Sequence, residues 1–218
     1  MLGNGANFWT KKSVLESIDC TFMGDEKKHS RRGFFRAAVG LPPSPVPKSP
    51  LKIPAPMTSE TGTFNVNGTS YQTEYEARTT LWEVIAVKLG LTGTARSCNR
   101  ATCGACSVLV DGVPFYSCHT LALEGVGREI LTIEGLGNEN DLHPLQAVGY
   151  TYAAAACGFC TPGWSVAAKA LLDKNPNPTE EDVKSALAGH VCSCATYPAI
   201  IRTVIDAGKV LRGEARIA

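Results

Sequence analysis

The sequence predicts an α+β protein in two folded parts behind an unstructured leader. Three observations predict it. Short apolar–polar alternations broken by Asn-Gly and Asp-Gly pairs fill one stretch, helix-start signals take over from His143, and each part carries four cysteines. The leader is residues 1–56, the strand-rich part 57–137 and the helical part 138–218.

The leader has neither helical nor strand periodicity, and residues 41–56, "LPPSPVPKSPLKIPAP", hold seven prolines. Such a run forms neither a helix nor an internal strand, so it is expected to be an extended linker. Upstream, "SRRGFFRAA" (Ser30 to Ala38) resembles a twin-arginine export signal, with Arg31 and Arg32 followed by Phe34, Phe35 and Arg36. It implies delivery of a folded protein to the periplasm. The apolar stretch that follows is short and ends at Pro42, which leaves a solvated basic patch and a cytoplasmic protein as the alternative.

The strand-rich part opens with "TFNVNGTSYQTEY", a hairpin around Asn67-Gly68. Thr80-Leu81-Trp82-Glu83 reads as a capping box that opens an amphipathic helix, and Gly90 ends it. "SVLVDGVPFY" is a second hairpin through Asp111-Gly112, and "REILTIEGL" supplies a further strand. Strand, strand, helix and then two or three strands is the order of a β-grasp.

The helical part carries four starts. Pro144 leads "LQAVGYTYAAAA" and Pro162 leads "GWSVAAKALLDKN". Thr179 caps "EEDVKSALAG" with acids in the first turn, and "PAIIRTVIDAGKVL" completes the set. Four helices are expected between 144 and 212.

The chain has 218 residues, 44% hydrophobic and 19% charged, with a net charge of +1. The leader holds nine Lys/Arg against four Asp/Glu, and the remainder holds twelve against sixteen. A folded body with that acidic balance lacks the basic stripe of a nucleic-acid binder. No apolar run approaches the ~18 residues of a membrane span.

Eight of the nine cysteines fall within 97 residues, and Cys20 stands apart in the leader as a bystander. The first set is Cys98, Cys103 and Cys106, then Cys118. C-x4-C-x2-C with a distant fourth cysteine is the plant-type [2Fe–2S] spacing. Each iron needs two thiolates, Gly104 lets the backbone pass close, and successive N–H groups of the loop can face the sulfurs. A β-grasp around this loop is the plant-ferredoxin arrangement. The second set is Cys157, Cys160, Cys192 and Cys194, both pairs at helix starts, where the helix dipole favours anionic ligation. Structural zinc is the rival for this set, because C-x2-C pairs are its usual ligands. Disulfides are disfavoured, since Cys192 and Cys194 are too close in sequence to bridge without strain. The histidines are scattered. His119 is expected as a loop donor, and His190 as a capping or solvated residue. Phe159, Trp164 and Tyr197 lie near the second set as a possible docking face, with Trp164 expected in the core.

"CNRATCGACSVLVDG", "TIEGL", "HPLQ", "CGFCTPG", "NPNPTEEDV" and "CSCATYPAI", in this order, resemble the small iron–sulfur subunit of the molybdenum hydroxylases, the xanthine oxidase and aldehyde oxidoreductase family. The resemblance covers about residues 61–212. It implies one [2Fe–2S] cluster on each cysteine set, with the helical one beside a molybdopterin held mainly by a large partner subunit. It also implies that the ferredoxin-like site faces a flavin-binding subunit or a c-type cytochrome, and that the chain is a redox subunit whose substrate site lies on the partner. The departures are Ala101 in place of a usual Gly, Ala156 in place of a Gln that reaches the pterin, and Ser193 in place of an Arg. From the residues alone, a free-standing two-cluster electron carrier and a zinc-stapled interaction module remain as alternatives.

Overall fold

Five strands form one mixed sheet in the order β2-β1-β5-β3-β4, in a computed structural model that describes residues 59–216. The leader, the Arg31–Arg32 pair and Cys20 lie outside the described residues.

β1 (Ser59–Val66) and β2 (Thr69–Glu76) pair antiparallel through Asn67 and Gly68, whose φ angles of 53° and 77° make the left-handed two-residue turn a tight hairpin needs. β3 (Ser107–Val110) and β4 (Val113–Tyr116) repeat this through Asp111 and Gly112, at 49° and 76°. β5 (Glu129–Leu131) lies between them, parallel to β1 and antiparallel to β3.

Two expectations are corrected in detail. The helix after Thr80 opens with the expected capping box: Glu83 accepts from the Thr80 backbone at 2.8 Å, and the Glu83 N–H donates to the Thr80 hydroxyl at 3.3 Å. It then widens into a π-helical turn over Glu83–Lys88, with the Leu89 N–H reaching Val84 five residues back at 2.9 Å. That wider turn lets Val84 and Leu89 pack on the same core with Leu81 and Ile85. The strand expected across "REILTIEGL" stops at Leu131. The Thr132 N–H goes to the Asn67 side chain at 2.9 Å instead of to a neighbouring strand, and a 3₁₀ turn follows at Ile133–Gly135.

The helices are α1 (Pro144–Thr151), α2 (Thr161–Lys174), α3 (Glu180–Ala186) and α4 (Tyr197–Leu211). His143 and Gln146 form a capping box on α1, and Thr179 with Asp182 forms one on α3. Leu145, Trp164, Leu172, Val183, Ile200 and Val204 make their common core.

β3 joins the two halves. All four of its residues are buried, Val108 and Val110 toward the core under the π turn and Leu109 toward Val166 and Ala170 of α2. A strand covered on both faces reads as a continuous apolar run, which is what Val108-Leu109-Val110 is, with Ser107 buried at its start. Among the described residues no helix is long and apolar enough to cross a membrane.

Candidate metal centres

The eight thiols fall into two sets, and within each set they meet in pairs. Cys98 and Cys103 share a loop whose residues Asn99, Ala101 and Gly104 all take left-handed φ, at 53°, 54° and 72°. These turns aim backbone N–H groups inward at the Cys98 sulfur. Thr102 donates to it at 3.3 Å, with the N–H groups of Arg100 and Cys103 and the Cys103 thiol beside it. The donors, Thr102 first, hold the Cys98 thiol down at about 6.

Cys106 and Cys118 make the second pair of this set. Ser107 faces Tyr116 across the β3–β4 hairpin, so Cys106 and Cys118 flank its open end. Ser117 locks that end by donating its hydroxyl to the Cys106 carbonyl at 2.7 Å. Both thiols are buried, and burial, with Cys118 alongside, pushes Cys106 up to about 12.

In the helical half, Cys157 meets Cys194 and Cys160 meets Cys192. Cys160 sits at the start of α2, and Cys192 and Cys194 precede α4. Gly158 and Ala195, with φ of 77° and 57°, turn the two loops toward each other. The Cys192 N–H donates to the Tyr197 hydroxyl at 2.8 Å, and the Thr196 hydroxyl lies 3.2 Å from the Cys192 sulfur. Burial raises Cys192, but the Thr196 hydroxyl and backbone outweigh it and bring the thiol to about 7. Burial, then the Cys192 neighbour, pushes Cys160 up to about 12. The Phe159 backbone N–H, then the Cys194 thiol, lowers Cys157, while the same contact with Cys157 raises Cys194. One partner of each helical pair is thus the readier anion.

Among the described residues no group of three or more His, Cys, Asp or Glu side chains is placed to hold a single metal ion. Four sulfurs converging on one point would suit zinc. Two pairs side by side suit a two-iron cluster, which takes two thiolates on each iron.

The two sets are joined. The Val191 N–H donates to the Cys103 carbonyl at 2.9 Å, one residue before Cys192. A Cβ on Gly104 would lie 2.6 Å from the His190 ring, and one on Gly163 of α2 would collide with the Gly104 carbonyl. His190 is therefore neither capping nor solvated: it is 9% exposed and lies 3.0 Å from the Ser107 hydroxyl. That hydroxyl already donates to the Gly104 carbonyl at 2.8 Å, so Nε2 of His190 carries the hydrogen and Nδ1 is left buried without a partner. Burial pushes the His190 ring down to about 4. Sequence reasoning missed this packing. The one visible signal was Gly163 in the first turn of a helix, where a glycine weakens the helix unless another backbone must come close. Of the aromatic residues near the second set, Trp164 is core at 2% exposed, while Phe159 and Tyr197 are 49% and 42% exposed.

Two family models match consecutive stretches of the chain. A "2Fe-2S iron-sulfur cluster binding domain" covers residues 64–129 and a "[2Fe-2S] binding domain" covers residues 132–205. The nicotine 6-hydroxylase small subunit of Paenarthrobacter nicotinovorans is 40% identical over 157 residues, 72% of this chain and 94% of that one. The aldehyde oxidoreductase of Megalodesulfovibrio gigas is 40% identical over 154 residues, 69% of this chain but only 17% of that much longer protein. Quinoline 2-oxidoreductase from Pseudomonas putida 86 includes a chain of the same fold, with a TM-score of 0.67 and 35% identity, covering 72% of this chain and 99% of that one.

Proposed function

The chain belongs to the small iron–sulfur subunits of the molybdenum hydroxylases, and from that premise we propose that it carries single electrons from a molybdopterin-bearing partner chain to a flavin or c-type cytochrome acceptor. The observation that carries the proposal is the pairing of all eight thiols into two adjoining sets. Each [2Fe–2S] cluster, when bound, supplies one-electron redox chemistry.

The chain's own residues do the rest. Cys98 with Cys103, and Cys106 with Cys118, would each hold one iron of the first site. Cys157 with Cys194, and Cys160 with Cys192, would do so in the second. Thr102, Arg100 and Cys103 direct N–H groups at the Cys98 sulfur, which favours the more negative state. Between the sites, Cys103 is linked to Cys192 through one hydrogen bond and one peptide unit, a short and mostly covalent route.

The substrate site is assigned to the partner. The stretches 153–164 and 191–200, around the second set, contain no Asp, Glu, Lys or Arg. Phe159, Tyr197 and Val191, which is 51% exposed, give that face the apolar character of a permanent interface. This supports the second set as the one nearest the molybdopterin.

The decisive experiment is metal analysis of the purified chain. It should contain about four irons and four acid-labile sulfides, with two distinct reduced signals by electron paramagnetic resonance. A colourless protein with two zinc ions would overturn the proposal.

A further inference from the structure

The surface around the first cysteine set has a different chemistry from that around the second. Between Gly90 and Val110 the chain contains Arg96 and Arg100 and no Asp or Glu, although the body as a whole is acidic. Arg96 is exposed yet held in place, its guanidinium carbon 3.8 Å from the centre of the Trp82 ring. Trp82 is itself fixed by donating its indole N–H to the Thr94 carbonyl at 2.8 Å. Arg100 is exposed two residues beyond Cys98, and neither arginine takes part in an ion pair among the described residues.

Glu83, beside Trp82 in sequence, and Glu134, bonded to the loop at Gly93, both have hydrogen-bond partners other than these arginines. Glu83 accepts from the Thr80 backbone and hydroxyl, and Glu134 accepts from the Gly93 N–H and the Thr132 hydroxyl. Two cations without an ion pair among the described residues, one of them ordered on an aromatic ring, thus flank Cys98 on either side in sequence.

We propose that Arg96 and Arg100 form the docking surface for an acidic face of the protein that takes electrons from the first site. The inference rests on the proposed electron-transfer function and adds the chemistry of the partner. Opposite charge on the partner raises the encounter rate and selects the orientation that brings Cys98 and Cys103 close. The stretches that carry the second set have no charged residue of their own to steer a partner in this way, in keeping with a permanent contact there.

The test uses the full chain, reduced with dithionite and freed of excess reductant, with oxidation followed by stopped flow. Hexacyanoferrate(III) takes one electron from the reduced protein and becomes hexacyanoferrate(II). Tris(phenanthroline)cobalt(III) does the same as a cation. Replacing both arginines (R96Q/R100Q) should slow oxidation by the anion roughly 5- to 10-fold at low salt and flatten its salt dependence. Oxidation by the cation should not slow. The K174Q/K209Q variant changes net charge equally in the last turns of α2 and α4, at the ends away from the cysteines, and should alter neither rate.

Immobilised polyglutamate gives a readout independent of electron flow, since R96Q/R100Q should elute at lower salt than K174Q/K209Q. Equal effects of the two double variants would show that net charge alone matters and would overturn the proposal. So would a parallel change with both oxidants accompanied by a shifted reduction potential, which would make the arginines tuning residues. Absence of iron–sulfur absorption in the unaltered chain would instead remove the electron-transfer function itself.

Discussion

The Val191 N–H reaches the Cys103 carbonyl at 2.9 Å, so a residue adjoining the second cysteine set is hydrogen-bonded to a residue of the first. Around that bond the chain is closely packed, the Gly104 backbone against the Gly189 carbonyl and the His190 ring, and the Gly163 backbone against the Gly104 carbonyl and Ala105.

Gly163→Ala should force this junction open. Its new methyl group would collide with the Gly104 carbonyl, a backbone atom that cannot rotate away. Overpacking of this kind costs about 1–3 kcal/mol. Thermal unfolding should show the loss, and electron exchange between the two sites should slow even where iron content is kept. Unchanged stability would mean that the loop shifts freely and the junction is not rigid.

Ala101→Gly should do the reverse. Ala101 is held at φ 54°, a left-handed conformation that costs a residue with a Cβ about 1–2 kcal/mol, only part of which glycine's greater unfolded freedom cancels. The expected gain is roughly 0.5–1 kcal/mol. Slower iron loss to a chelator from the first site, with the second unaffected, would show it. No gain would place the strain of this loop elsewhere.

His190 gives the fold an acid limit. Its ring is depressed from 6.5 to about 4, so it is neutral in the folded chain where the unfolded chain binds a proton. Its contribution is therefore complete above about pH 6.5 and is lost as pH falls toward 4, at most about 3 kcal/mol. His190→Gln keeps a donor for Ser107 without the titration. Its stability should fall less steeply than the parent's between pH 6.5 and 4, measured by urea unfolding at fixed iron content. Identical slopes would assign the acid limit to the thiolates.

Legibility followed sequence distance. Asn67-Gly68, Asp111-Gly112, the Thr80 and Thr179 boxes and the proline starts of α1 and α2 are all written within four residues, and each stands where its local chemistry put it. The C-x4-C-x2-C and C-x2-C spacings are local in the same way, whereas the meeting of Cys157 with Cys194 and of Cys160 with Cys192 spans 37 and 32 residues. What could not be read depends on partners far along the chain. Asn67 ends β5 from 65 residues away, and His190 is buried by a hydroxyl 83 residues away. The π turn is a third case, since its period is set by the sheet it packs on.

Export is a separate prediction, motivated by "SRRGFFR" in the leader. Replacing Arg31 and Arg32 with Lys keeps the charge but not the twin-arginine pattern. The protein, with any partner it carries, should then stay in the cytoplasm. An unchanged distribution between cytoplasm and periplasm would reduce the pair to a solvated basic patch.

The order of the two sites can be tested with single cysteine variants in the assembled complex. Cys194→Ala removes a thiolate from the exposed, uncharged face argued to meet the pterin-bearing partner, so substrate should no longer deliver electrons into the chain. Cys103→Ala removes one from the site flanked by Arg96 and Arg100. Electrons should then still enter the second set in a single turnover but fail to reach the acceptor. Iron must be counted first, because loss of one ligand can empty a site and loosen its fold, and about two of the expected four irons should remain in each variant. Cys103→Ala carries the greater risk to both sites, since its carbonyl holds Val191 beside Cys192. That bond uses the backbone, which the substitution leaves in place, so the second site should keep its iron. If Cys103→Ala blocked entry of electrons while Cys194→Ala allowed it, the assigned direction of flow would be reversed.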